Sequence, residues 1–507
     1  MTTASEERDM ETHAESSTSA DLERSSTDWY YHGIRLKNYR TPMTQVVLIG
    51  LIAFMTVGMS SALNGAGGGG LLNTQQSTNA NVAVYSTFAA LAFFSGTIYN
   101  RVGIRVCLMF GGFGYAFLES AYFATAHIGD RATAFIVVAG CVEGLSAAML
   151  WTAQGAVTMG YPCEDEKGKA FAVFWTIFQM GGVIGSIIPI CLNWNSKAGT
   201  VSDATFITFI AIMLFGCLLP LLLIPSDKVV RKDNTAVVLP SAPTWNSEIR
   251  GLLNVLVQDK WIVTLFPFFI ASNWFYTYQK NDFNAPFFTL RTRSFNGLWS
   301  NFANMAGVWL MGLLLDFQPQ KYSRMLRARF GLVFLFVATL AIWGAGWVFV
   351  KDTVRGKVPE PLIDVTESRR YAPYIIIYVF WSLYDGIFQA YAYWLLGSLS
   401  NNSARLSHYS GWYKSLQSAG AAVVWRLDGI KISYVSMYLS TWIILLGSIL
   451  CTTWVAWTKV KEHSEDEGVM IVAEGLEEER GDEHDGLAGK SGDVKDVVRV
   501  KSGGIAA

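Results

Sequence analysis

The sequence predicts an all-α polytopic membrane protein with twelve transmembrane helices arranged as two six-helix bundles. The chain is 51% hydrophobic and only 16% charged, whereas ordinary soluble domains contain about 25% charged residues. Apolar stretches of about 20 residues, the length that crosses a hydrocarbon core of ~30 Å, recur along the chain. Short motifs of the first half also return in the second half in the same order.

The apolar stretches divide into two sets of six on either side of a polar segment. The predicted spans lie near 43–63, 82–100, 104–124, 132–159, 168–192 and 204–224, then near 261–279, 295–315, 329–350, 373–395, 411–427 and 433–457. The predicted domains are a disordered cytoplasmic tail (1–40), a first bundle (41–224), a cytoplasmic central loop (225–260), a second bundle (261–457) and a disordered cytoplasmic tail (458–507).

Basic residues set the predicted orientation. In the first half, Lys and Arg are concentrated on one side of the membrane, whereas the opposite side has only Arg131 and Lys197. The basic side is cytoplasmic by the positive-inside rule, so both termini are expected there. The loop 351–370 runs against the rule with its five basic residues. The membrane itself stays open between the plasma membrane and a vacuolar or other endomembrane.

Three pairs of motifs indicate an internal repeat. Glu143-Gly144 falls in the middle of the fourth span and Asp385-Gly386 in the middle of the tenth. Gln179 precedes a glycine in the fifth span, as Gln417 does in the eleventh. Gly96 with Asn100 corresponds to Gly312 with Asp316. Two parallel six-helix repeats would place these pairs in equivalent positions.

The two carboxyl groups of the repeat are the first functional candidates. A carboxylate near the middle of the membrane is costly and by default indicates a functional site facing the bundle interior. Loss of water favours the neutral form of Glu143 and Asp385, which suits proton uptake and release. The alternative is a structural carboxyl that is hydrogen-bonded between helices.

Polar and aromatic side chains within the spans are the candidates for a central cavity. They are Gln154, Gln179, Asn193, Asn273, Tyr276, Asn304, Gln389 and Gln417. Amides inside a bundle also simply join neighbouring helices by hydrogen bonds. A cavity lined by aromatic rings with few fixed charges would suit a small amphipathic organic solute.

Several other functions lack support in the sequence. The glycine run 65–70 is not followed by the Lys-Ser/Thr of a phosphate-binding loop. The six cysteines form no Cys-x-x-Cys pair, and we predict no metal site, cofactor or catalytic residues. The net charge of −1 gives no indication of a nucleic-acid partner. The expected partners are the lipid bilayer and a small solute, and the chain is not expected to be an enzyme.

The loop after the second span resembles the signature loop of major-facilitator transporters, Gly-x-x-x-Asp-Arg-x-Gly-Arg-Arg. The matching positions are Gly96, Asn100, Arg101, Gly103 and Arg105, with Asp316 at the equivalent place in the second half. Asn100 stands where the signature has Asp. An amide cannot form the salt bridge that a carboxylate would, so the resemblance implies a weaker or differently made latch.

A longer set of residues resembles one family within that superfamily, the uncoordinated-93-like membrane proteins of fungal type. The set comprises Trp151-Thr152-Ala153-Gln154-Gly155, Lys167-Gly168-Lys169-Ala170-Phe171, Phe174-Trp175, Phe178-Gln179-x-Gly181-Gly182-x-x-Gly185-Ser186 and Asn100-Arg101-Val102-Gly103-Ile104-Arg105. The resemblance is strong over 43–225. It implies the major-facilitator fold, with twelve helices around a central cavity. Animal relatives act as channel-regulating subunits or trafficking chaperones, and fungal relatives are assigned as transporters by fold.

Two functional hypotheses follow. The first is a secondary transporter of the major-facilitator type, which moves a small organic solute by alternating access and with proton coupling. The alternative is a non-transporting adaptor, a regulatory subunit or trafficking chaperone that binds a membrane-protein partner. The carboxyl groups within the membrane favour transport, and Asn100 in the loop motif favours the adaptor.

Overall fold

The computed structural model describes residues 29–31, 34–36, 38–71, 74–162, 166–195, 200–232, 245–316, 321–400 and 403–461. The described chain is helical except for one hairpin and an isolated bridge. Strands β1 (Trp29–Tyr31) and β2 (Ile34–Leu36) pair antiparallel within the predicted N-terminal tail. The predicted tail segments 1–28 and 462–507 lie outside the described residues.

The first half begins with α1 (Pro42–Ala53), which continues through the π-helical turn Phe54–Gly58 into α2 (Met59–Gly65). Pro42 occupies the first turn of α1, where the missing N–H leaves no hydrogen bond unmade. The following helices are α3 (Thr74–Leu91), α4 (Ser95–Ile128), α5 (Thr133–Gly160), α6 (Lys167–Asn193) and α7 (Asp203–Gly216). A 3₁₀ turn at Leu219–Leu222 ends this half.

The second half begins with α8 (Trp245–Gln258), a helix within the predicted central loop. The next span is irregular: a 3₁₀ segment (Lys260–Leu265), α9 (Phe266–Ala271), α10 (Phe275–Thr277), a π-helical segment (Tyr278–Asn284) and α11 (Ala285–Phe287). Regular helices complete the half: α12 (Leu290–Leu315), α13 (Arg324–Val350), α14 (Ser368–Leu399), α15 (Ser403–Gly429) and α16 (Tyr434–Thr458).

Eight stretches of the described chain are long and apolar enough to cross a membrane. One of them, Arg101–Thr158, comprises most of α4 and α5, which a 3₁₀ turn connects. The segment Lys260–Phe287 forms a further candidate together with the preceding helix, to which it is bent by 93°. The chain is therefore a multi-pass membrane protein. Helices α3 and α15 are less apolar and pack against each other.

Several boundaries differ clearly from the predicted spans; α15, for example, begins at Ser403 instead of near 411, and the irregular seventh segment continues to Phe287 instead of ending near 279. The second span was expected near 82–100, but α3 begins at Thr74 and a turn at 92–94 separates it from α4. Its first turns carry the polar run Gln75–Asn79, which an apolar window excludes. The eighth span is predicted from 295, whereas α12 begins at Leu290. Its first turn contains Arg291 and Arg293, and a search for apolar stretches leaves such charged residues out.

Buried apolar side chains form two clusters that follow the two halves of the sequence. One runs from Val46 to Val229 with Leu290, and the other from Val255 to Val460. The repeated glycines make equivalent close contacts. A Cβ at Gly144 would lie 2.4 Å from the Val84 carbonyl oxygen of α3, and a Cβ at Gly386 would lie 2.1 Å from the Asn304 carbonyl oxygen of α12. Each glycine thus brings the helix with the acidic residue against the helix two positions earlier.

Candidate functional site between the two halves

Asp385 lies midway along α14 with its carboxyl buried. Asn304 of α12 donates from Nδ2 to Oδ2 at 2.7 Å. The hydroxyl of Tyr276, in α10, lies 3.1 and 2.9 Å from the two carboxyl oxygens. The close approach at Gly386 brings Asn304 within reach. Neutral donors therefore make the direct hydrogen bonds to this carboxyl.

Asn304 also connects Asp385 to the other half of the protein. Gln179 of α6 donates a short hydrogen bond from Nε2 to Oδ1 of Asn304. All three side chains are buried. The Asn304 amide accepts a hydrogen bond from Gln179 of the first half and donates one to the Asp385 carboxyl. A change in the protonation of Asp385 therefore reaches the contact between the halves through one side chain, that of Asn304.

A second polar group lies one helical turn after Asp385. Gln389 donates from Nε2 to the carbonyl oxygen of Ser272 at 2.8 Å and accepts at Oε1 from the Tyr413 hydroxyl at 2.7 Å. Gln417 donates to the Tyr413 hydroxyl at 3.2 Å. The structure thus brings together six of the predicted site residues: Gln179, Tyr276, Asn304, Asp385, Gln389 and Gln417.

Two lysines at this site were missed by the sequence reasoning. The Nζ atom of Lys280 lies 5.0 Å from the centroid of the Tyr276 ring and within electrostatic range of Asp385. Lys414 donates to Oε1 of Gln417 at 3.1 Å. The rule that a charge within an apolar span indicates function would have selected Lys414. The same rule did not select Lys280, because Lys280 lies one residue beyond the end of the predicted seventh span.

Glu143 lies apart from this network. It is buried in α5, and its Oε2 has no hydrogen-bond partner among the described residues. It interacts electrostatically with Glu119 of α4, a fully buried carboxyl that the sequence analysis did not select. Tyr85 of α3 is within electrostatic range of both Glu143 and Tyr276. A tyrosine therefore lies between the two acidic centres.

The other predicted cavity residues have local contacts. Gln154 donates to Thr158 on its own helix at 2.9 Å. Asn193 joins the end of α6 to the start of α7 through Thr205 at 2.8 Å. Asn273 is half-buried in the break between α9 and α10. Within the described chain, none of these side chains forms a hydrogen bond with the Asp385 network.

The loop motif is an interrupted helix rather than an open loop. Its residues belong to α4, and Gly103 breaks the helix with a φ of 80° that favours glycine. Arg105 donates from Nε to the Leu223 carbonyl oxygen at 2.9 Å, which ties this end of α4 to the end of the sixth span. In the second half, Asp316 is 3.9 Å from Arg327. Nothing is described of the Asn100 side chain.

A charged cluster joins the halves at the opposite end of the helices. Arg355, in the segment between α13 and α14, contacts Asp282 at 2.5 Å and Asp428 at 2.8 Å. Asp428 of α15 accepts a 3.0 Å hydrogen bond from Thr78 of α3 in the first half. Asn281 donates to Thr78 at 3.2 Å. We call these five residues the Arg355 cluster.

Aromatic contacts close the other end of the interface. The rings of Phe93 and Trp412 are 5.0 Å apart, and those of Phe171 and Tyr393 are 5.4 Å apart. A void of only about 10 Å³ lies beside them, near the minimum for one water molecule. It is lined by Phe171, Trp175, Val308, Gln389, Ala390 and Tyr393. The halves must move apart before a solute can enter here.

Comparison with known proteins identifies the class. Residues 46–425 match the Major Facilitator Superfamily. The crystal structure of a D-xylose–proton symporter superposes with a TM-score of 0.52, covering 83% of this chain and 97% of that chain at 14% identity. At this identity the likeness concerns the fold alone. The protein is thus a multi-pass membrane protein with the major-facilitator fold.

Sequence relatives define the family within that class. An UNC93-like protein of Schizosaccharomyces pombe is 40% identical over 90% of this chain and 89% of that protein. UNC93-like protein 1 of Arabidopsis thaliana is 35% identical over 85% of this chain and 93% of that protein. The chain belongs to the UNC93-like proteins of the Major Facilitator Superfamily, which confirms the family resemblance predicted from the sequence.

Proposed function

We propose that the protein is a proton-coupled secondary transporter that moves a small organic solute by alternating access. In this proposal twelve helices form two six-helix bundles, over 41–224 and 261–457, and the central loop and both termini are cytoplasmic. Asp385 binds the coupled proton. The observation that carries the proposal is the buried chain of hydrogen bonds from Gln179 through Asn304 to Asp385, which crosses between the halves.

The hydrogen bonds suggest how a proton would act on the contact between the halves. An ionised Asp385 accepts from Asn304, so the amide oxygen of Asn304 is free to accept from Gln179. A protonated Asp385 keeps one acceptor oxygen and gains a hydroxyl to donate; where Asn304 accepts from that hydroxyl, its amide turns over. Gln179 would then face a donor instead of an acceptor. Proton binding would therefore weaken or rearrange the contact between the halves.

The Arg355 cluster supports the alternating part of the proposal. Its contacts with the first half are the hydrogen bonds of Thr78 to Asp428 and Asn281, while the aromatic contacts close the opposite end. Alternating access requires each end to open in turn around a fixed central site. The D-xylose–proton symporter has the same fold.

Glu143, which lies within electrostatic range of Tyr85, is proposed as a second protonation site.

The test is the thermal stability of the purified protein against a broad panel of metabolites and drugs, at one mildly acidic and one mildly alkaline pH. A solute that binds the folded protein raises the melting temperature by mass action. We expect at least one solute whose shift depends on pH in the natural sequence. Asp385→Asn, which cannot ionise, should lose the pH dependence of that shift, and Glu143→Gln should reduce it.

Asp352→Asn serves as the control because it removes an exposed carboxyl outside the spans. A solute shift with the same pH dependence in Asp385→Asn and the natural sequence would contradict the proton role. A lack of any shift, together with a membrane protein that co-purifies in equal amount, would contradict transport and support the adaptor alternative.

A further inference from the structure

Lys414 of α15 stands inside the interface between the halves, surrounded by aromatic rings. Its Nζ atom lies 5.4 Å from the ring centroid of Trp151 and 5.3 Å from those of Tyr393 and Tyr413. Its hydrogen bond goes to the neutral side chain of Gln417. We call the three rings the Lys414 cage. Trp151 belongs to α5 of the first half, so both halves build the cage.

Among the described residues, no carboxylate balances the charge of Lys414. In the described part of the chain it forms no ion pair with any Asp or Glu. Two side chains separate Lys414 from Asp385: first Gln417 or Tyr413, and then Gln389. Asp385 also has another cation, Lys280, within electrostatic range. Among the described residues, the Asp385 network with its neighbouring cations therefore contains two ammonium groups and one carboxyl.

An ammonium group within the membrane is costly unless an anion compensates it. The ring faces supply part of that compensation, because a cation is attracted to the negative face of an aromatic ring. They cannot supply a full negative charge. An anionic group of a ligand would complete the site, and the surrounding rings would cover the apolar body of the same ligand.

We propose that Lys414 binds the anionic group of the transported solute, which makes the substrate class an amphipathic organic anion such as an aromatic or aliphatic carboxylate. This inference rests on the proposed transport function. In the closed state described here the rings hold the ammonium. When the halves separate on one side, Trp151 withdraws with the first half and the ammonium becomes available to the solute. The side chains of Tyr413 and Gln389 then connect Asp385 to the bound anion.

The test uses matched solutes that differ only in charge. Benzoate, benzamide and benzylamine form one set, and further sets are built on phenylacetate, indole-3-acetate and octanoate with their amides and amines. The readout is the melting temperature of the full chain in detergent over a range of solute concentrations. We expect shifts from carboxylates and not from the matched amides or amines. Lys414→Gln and Lys414→Met should weaken carboxylate binding by roughly 30-fold, the low end of the effect of removing one partner of a buried charge pair, because Lys414 is half-buried.

Two controls separate charge from folding. Lys414→Arg keeps the positive charge and should retain part of the carboxylate shift. Lys351→Gln removes an exposed lysine outside the spans and should change nothing. The melting temperature without solute shows whether each variant folds. Lys414→Met should be as stable as the natural sequence or more so, because it removes a half-buried charge that lacks an anionic partner among the described residues.

The outcomes distinguish this inference from the proposed function. Shifts produced by amides or amines, or carboxylate shifts that survive in Lys414→Met, would overturn the anion site while leaving a transporter with another substrate class. The absence of a shift with every carboxylate would also overturn it. If no solute of any charge produces a shift and Asp385→Asn changes nothing, the transport function fails as well.

Discussion

At the scale of single residues, Gly386 determines whether Asp385 can meet Asn304. A Cβ at this position would lie 2.1 Å from the Asn304 carbonyl oxygen. We expect Gly386→Ala to push α14 away from α12, at a cost of about 1–3 kcal/mol typical of overpacking. Its melting temperature in detergent should fall, and any solute-dependent shift should weaken because the Asn304 hydrogen bond lengthens.

Gly397 is the matched control, since it lies on the same helix with open space around its Cβ position. Gly397→Ala should leave the melting temperature unchanged or raise it slightly, because alanine is the better helix former. Equal melting temperatures for the two variants would show that the close packing at Gly386 is not required.

Residue-level prediction from the sequence relied on one feature at a time. A carboxyl in the middle of an apolar span drew attention to Asp385, and the structure places five other predicted residues around it. Lys280 was missed because a polar segment, 278–284, is buried in a π-helical segment instead of ending the span. The hydrogen bonds that connect Gln179, Asn304 and Asp385 could not be predicted from the sequence. These residues are separated by 125 and 81 positions, and a periodic pattern does not indicate contacts over such distances along the sequence.

At the scale of elements, a bidentate ion pair and neighbouring hydrogen bonds attach the segment between α13 and α14 to the start of α12. Arg291 donates to the two oxygens of Asp364 at 2.7 and 2.8 Å. Burial alone would raise the pKa of Asp364, but hydrogen bonds from Arg291, Thr289 and Thr366 hold that pKa well below its usual range. The ionised form is therefore the one that the fold stabilises.

We expect Asp364→Asn to lower the melting temperature at neutral pH, by a loss of about 1–2 kcal/mol for a charge-assisted contact. Because the folded-state pKa is depressed, this stabilisation is present above the unfolded-state pKa of about 4 and is lost as the pH falls below it. The difference between the variant and the natural sequence should shrink in acid. Asp352→Asn, on the exposed part of the same segment, is the control. A difference that stays constant with pH would contradict the ion pair's role.

Helices α3 and α15 show what limits prediction at this scale. Both were predicted, but α3 too short and α15 as the weakest span. Their polar residues face each other across the halves, as in the hydrogen bond of Thr78 to Asp428 and that of Ser415 to the Ala89 carbonyl oxygen. Predicting spans from runs of apolar residues works for helices that lipid surrounds. It underestimates the length of helices, such as α3 and α15, whose polar faces are covered by protein.

At the scale of the whole molecule, the two buried clusters and the equivalent contacts of Gly144 and Gly386 agree with an internal repeat. The closed interface fits one state of an alternating cycle. The Arg355 cluster joins the halves at one end and aromatic pairs join them at the other, with Asp385 and Lys414 between. The central claim is that proton binding at Asp385 is coupled to movement of a solute between these ends.

The most direct measurement is proton movement in sealed vesicles that contain the purified protein and a trapped pH-sensitive dye. A gradient of a solute that stabilises the protein is imposed across the membrane without a pH gradient. The account predicts a change of internal pH that follows the solute gradient and is absent in Asp385→Asn, while that variant still binds the solute. A solute flux of undiminished rate that moves no protons in the natural sequence, or equal proton movement in Asp385→Asn, would contradict it.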